Sequence, residues 1–101
     1  MELGEYKIKF IKLSKKLGFN VNIENLKGID CFLSFFELIK QDKSTVIIKL
    51  DGEREEGCYS FIASGKKLGE EESVRMDTSD LEGGLEYICV EYAKYAWDME
   101  W

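Results

Sequence analysis

The apolar positions of this chain follow two different periods. Leu3, Tyr6, Phe10, Leu13 and Leu17 recur at helical spacing, with Lys7, Lys9, Lys12, Lys15 and Lys16 around them and Gly18 placed as a stop. That pattern predicts an amphipathic helix over about residues 4–17, its lysines forming a solvated face. A strand reading of residues 6–10 competes, but it strands Ile11 and leaves residues 15–18 unexplained. Phe19 to Ile23 alternates strictly and reads as a short edge strand, although asparagine is depleted in strands. Between Asp30 and Gln41 the run is apolar on every side, with Asp30 as a candidate N-cap, and this predicts a central buried helix.

The period changes to two between Thr45 and Ser64. Val46, Ile48 and Leu50 alternate with Ile47 and Lys49; after the acidic run from Asp51 to Glu56, Tyr59, Phe61 and Ala63 alternate with Ser60, Ile62 and Ser64. Two strands with glycine on both sides of the loop read as a β-hairpin. Because opposed residues share a face, a two-residue turn at Asp51-Gly52 would set Ile48 against Glu55 and put acids in the core. A loop of residues 53–56 instead sets Leu50 against Tyr59, Ile48 against Phe61 and Val46 against Ala63. A tight turn at Glu56-Gly57 keeps the same faces, so the core set is fixed while the register stays open. Residues 65–72 read as a loop, and residues 73–77 as a third strand with Val74 and Met76 inward.

The last helix opens on a capping box, Ser79 with Glu82, with Asp80 and Glu82 where the helix dipole favours acids. Leu81, Leu85, Ile88, Tyr92, Tyr95 and Met99 then trace one stripe for the sheet. At 100° per residue Tyr87, Val90, Trp97 and Trp101 fall on the opposite side, which requires a second neighbour: the first helix, a partner protein or a twin subunit. The expected architecture is a single α+β domain, 1–101. Its three- to four-stranded, mainly antiparallel sheet, with the hairpin 45–64 at its centre, packs with an N-terminal helix, a buried middle helix and a C-terminal helix.

Composition narrows the chemistry. A chain of 101 residues with 45% hydrophobic content is long enough to bury a core. It has no histidine, so the commonest general base and metal ligand are missing together. Cys31, Cys58 and Cys89 are odd in number, widely spaced and set among apolar residues, which fits free thiols in a reducing compartment. No phosphate loop, EF-hand or CxxC pair occurs, and adjacent Glu55 and Glu56 would point to opposite sides of a strand, the wrong geometry for an acid/base pair. No metal, no cofactor and no enzymatic activity are expected. An enzyme of this sequence would have to use one of the cysteines or a glutamate of raised pKa. The N-terminal stretch is acidic and no apolar run approaches a membrane span, so the expected location is the cytoplasm.

Charge is unevenly spread. Residues 1–49 carry nine lysines against six acids, residues 50–101 five basic residues against fourteen acids. Such a surface disfavours nucleic acid, which needs clustered Lys and Arg, and favours a basic protein. The candidate partner-binding residues are Asp51, Glu53, Glu55 and Glu56 of the hairpin loop, Glu70, Glu71 and Glu72 of the next loop, and Tyr87, Trp97 and Trp101. Aromatics anchor an interface and charge speeds encounter; the same acids would otherwise simply keep a small domain soluble. On these residues the chain resembles the small acidic immunity proteins of bacterial toxin–immunity systems. That resemblance implies a stoichiometric inhibitor covering the active site of a basic toxin domain, often a nuclease, with no chemistry of its own. The alternative is a regulatory or structural homodimer, formed through Val90, Trp97 and Trp101 or through an exposed edge strand.

Overall fold

A computed structural model of the chain describes residues 4–19, 21, 28–71 and 73–100. The elements run α1 (Gly4–Lys16), a 3-10 turn (Asp30–Phe32) leading into α2 (Leu33–Gln41), β1 (Thr45–Leu50), β2 (Tyr59–Ser64), a 3-10 segment (Lys66–Glu71), β3 (Ser73–Thr78) and α3 (Leu81–Ala96). The fold is α+β. The three strands form an antiparallel meander in the order β1-β2-β3. Leu50 pairs with Tyr59, Ile48 with Phe61 and Val46 with Ala63, the register of the longer hairpin loop. On β3, Met76 faces Phe61 and Val74 faces Ala63, so this face of the sheet is apolar except where Thr78 faces Tyr59.

The helix at the centre is α3, not α2. Buried residues make up nine of the sixteen in α3, from Gly83 to Ala93, but in α2 only Phe35 and Ile39 of nine. Leu33, at the start of α2, is 50% exposed. The all-round apolar run of residues 31–39 misleads because α2 sits at the margin over edge strand β1, where only one stripe finds neighbours. By contrast α3 lies between two layers, with β2 and β3 on one side and α1 on the other. Gly84 makes the sheet side of that contact possible: a Cβ built there would overlap the Phe61 ring. Without one, the ring lies against the helix backbone, and Phe61, Leu85, Ile88 and Tyr92 close the core around it.

The opposite stripe of α3 is met by α1. Val90 is 2% exposed, and the Tyr6 and Tyr87 rings lie 4.8 Å apart. Phe10 of α1 packs on Phe32 and Phe35, which ties the 3-10 turn and α2 to the same layer. Lys7, Lys12, Lys15 and Lys16 of α1 are exposed, as expected, whereas Lys9 is half-buried with its Nζ 5.1 Å from the centre of the Tyr6 ring. Gly18 ends the helix region in a left-handed conformation, φ 80°. Phe19 and Val21 are not in a strand, and the rest of the alternating stretch 19–23 lies outside the described residues.

Three local readings change. Asp30 opens the 3-10 turn without capping it. Residues 66–71 are not a plain loop but a 3-10 segment kinked at Gly69, which drops Leu68 into the core at 2% exposure. The N-cap of α3 is Asp80, whose side chain accepts from the Gly83 amide at 3.0 Å, in place of the Ser79–Glu82 box. Ser79 is used elsewhere: its Oγ accepts from the Gly57 amide at 2.9 Å and ties the hairpin loop to the turn before α3.

Candidate acidic interface

The meander decides where the acids go. The β1–β2 loop leaves the sheet at Leu50 and Tyr59, whereas the β2–β3 connection leaves it at Ser64 and Ser73. Residues 51–56 and 70–71 are therefore attached to opposite ends of the sheet, about 17 Å apart for six-residue strands. The sequence candidates among the described residues do not form one surface. Asp51, Glu53, Glu55 and Glu56 stand at one end; the backbone of Glu70 and Glu71 lies at the other, with Trp97. Glu72 and Trp101 lie outside the described residues.

At the first end the loop is built, not merely polar. The Asp51 amide donates to the Cys58 carbonyl at 2.7 Å and the Arg54 amide to the Asp51 carbonyl at 3.3 Å. The Asp51 carboxylate accepts from the Glu53 amide at 3.1 Å, an Asx-type turn. Asp51 is thus spent on shaping the loop, while the carboxylates of Glu53, Glu55 and Glu56 are exposed and outside every side-chain hydrogen bond and ion pair among the described residues. Gly57, at φ 59°, leaves room for the Arg54 guanidinium beside it. Next to the loop, Asp77 is held below the usual carboxylate range, first by a hydrogen bond from Ser60 and then by Arg75 and Arg54. Residues 49–57 and 75–82 together carry seven carboxylates against Lys49, Arg54 and Arg75, a net −4 in a chain of net −6, with Lys49 4.0 Å from the Asp51 carboxylate. Leu50, expected in the core, is 70% exposed at the root of this loop because α2 does not reach it.

The second end keeps its aromatics for itself. Asp42 Oδ2 accepts from the Tyr92 hydroxyl and from the Trp97 indole N–H, both at 2.8 Å. Ser44 Oγ is also 2.8 Å from the Tyr92 oxygen; since tyrosine has one proton and gives it to the carboxylate, Ser44 is the donor there. Burial and the carboxylate push the Tyr92 hydroxyl up to about 12. The Trp97 ring stands edge-on to Tyr92 at 5.3 Å. Tyr87 is half-buried against Tyr6, and Tyr6 donates to Glu91 at 2.7 Å, so neither late aromatic of the described set is a free anchor. Asp42 escaped the sequence reading because, in Asp42-Lys43-Ser44, it looks like an ordinary turn residue; its partners are fifty residues away.

The three cysteines are unpaired, with Cys31 and Cys58 half-buried and Cys89 buried. Desolvation pushes the Cys31 and Cys89 thiols up, which leaves them poor nucleophiles. Among the described residues no group of His, Cys, Asp or Glu has the geometry of a metal site, and no helix is long and apolar enough to cross a membrane. Compared with known proteins, the chain matches no family model, no curated protein and no solved structure.

Proposed function

We propose that this protein is a non-catalytic binding protein of the immunity class, acting in the cytoplasm to neutralise a cognate bacterial toxin by covering its basic active-site surface. The observation that carries the reading is the acidic end. Most of the net charge of the chain is gathered there, and three of its glutamates are held out by a loop whose backbone is fixed at both ends. Charge of this density attracts a basic partner from a distance and raises the association rate by one to three orders of magnitude over neutral pairs. The exposed Leu50 at the root of the loop supplies an apolar contact once the surfaces meet.

The test is stopped-flow association with the purified products of the neighbouring genes, any basic domain among them first, over a range of salt. A one-to-one inhibitory complex whose association rate falls steeply with salt supports the reading; indifference to all of them removes it. A homodimer is the second reading, and it now has one route. Val90 is sealed inside the chain, whereas edge strand β1 leaves Ile47 49% exposed on one face and Leu50 70% exposed on the other. Sedimentation separates the two, since only the dimer changes mass with concentration and with Ile47→Lys.

A further inference from the structure

The layer between α1 and α3 contains a carboxyl group that neither the fold nor the acidic end explains. Glu86 is 1% exposed, and its Oε2 is buried without a hydrogen-bond partner among the described residues. Gly84 marks the side of α3 that faces the sheet, and two residues further on the helix has turned by about 200°. Glu86 therefore points toward α1, one turn before the buried Val90. Lys7 of α1 is the cation that draws its pKa down; Asp80 and Glu82 of the first turn of α3 push it up. Among the described residues, Cys31, beside Asp30 in the 3-10 turn, and Cys89 on α3 complete the titratable surroundings. On the sheet side, the atoms nearest Gly84 belong to the uncharged Phe61 ring. Burial outweighs Lys7 and raises the carboxyl to about 7.

We propose that Glu86 is a proton-controlled latch for the N-terminal helix: while its carboxyl is neutral α1 stays docked on α3, and loss of the proton lets α1 lift so that the carboxylate reaches water. The contacts that hold the helix down lie in the same layer. Phe10 and Leu13 are fully buried there, and Tyr6 bonds Glu91 and stacks on Tyr87. α1 packs chiefly on α3, so it can move without breaking the sheet. The sign follows from linkage. A lifted helix leaves Glu86 with its ordinary value of 4.5, so docking is strongest below that pH and is lost as pH rises to about 7, beyond which the effect is constant. Between pH 5 and pH 8 the population of the lifted state rises by roughly 70-fold for a shift of this size.

Native-state hydrogen exchange at the amides of Phe10 and Leu13, corrected for intrinsic rates, reads that population. The expected result is a loss of protection of roughly 70-fold from pH 5 to pH 8 in the wild type and none in Glu86→Gln. At both pH values α1 is also expected to be less protected than β2. Lys7→Gln, a second variant at an exposed position, moves the midpoint above 7 by removing the cation that favours the charged form. A flat profile in the wild type, an unchanged slope in Glu86→Gln, or equal protection of α1 and β2 would each overturn the latch, the last because opening would then be global.

Discussion

The two ends of α3 put the same kinds of residue to opposite uses. At its N-terminal end the carboxylates stand in water and the loop that carries them is held by backbone amides, Asp51 and Ser79. At its C-terminal end one carboxylate, Asp42, is half-buried and gathers a tyrosine and a tryptophan around it. The difference teaches that an acid is available to a partner only when no donor of its own chain has claimed it. By that criterion Glu53, Glu55 and Glu56 are available, and Asp42 and Asp51 are not.

Both ends hang on α3, so the change that damages both is at its crossing with the sheet. Gly84→Ala forces the Phe61 ring out of its place and is expected to cost about 3 kcal/mol in urea unfolding. Asp42→Ala separates the ends. It leaves the Trp97 N–H and the Tyr92 hydroxyl short of their acceptor, for a loss of about 2 kcal/mol, while binding at the acidic end is unchanged. Asp80→Ala removes the cap on the other side and costs about 1 kcal/mol. The triple change of Glu53, Glu55 and Glu56 to Gln is expected to alter stability by no more than about 0.5 kcal/mol per site, measured by thermal melting. It should nevertheless slow association with a basic partner at least about tenfold and flatten its salt dependence. A stability loss from the triple change comparable to that from Asp42→Ala would erase the distinction between the two ends.

What the sequence disclosed was whatever period alone determines. The hairpin faces, the inward Val74 and the α1 stripe of Phe10 and Leu13 appear as read, because alternation and helical spacing are local signals. The failures have a common cause, which is that the neighbour is remote. Residues 31–39 are as apolar as a buried helix, but only the packing reveals that α2 lies at an edge. The Ser79–Glu82 box has the right spacing, yet the Gly57 amide takes Ser79 and Asp80 replaces it. Trp97 looked spare on a helical wheel, which cannot show Asp42 beneath it. Glu53, Glu55 and Glu56 are exposed as read and Asp51 is half-buried, but the acids of the two loops were wrongly pooled, since a meander sends consecutive loops to opposite ends.

The direction of the helices carries one more consequence. Tyr6 meets Tyr87 and Lys16 meets the Glu100 carbonyl, so α1 runs the same way as α3 and delivers Lys12, Lys15 and Lys16 to the end remote from the hairpin loop. Negative charge concentrated at one pole, with Lys12, Lys15 and Lys16 offsetting Glu70 and Glu71 at the other, gives the protein a permanent electric moment. In the field of a strongly cationic body that moment produces a torque before any contact and turns the loop to the front.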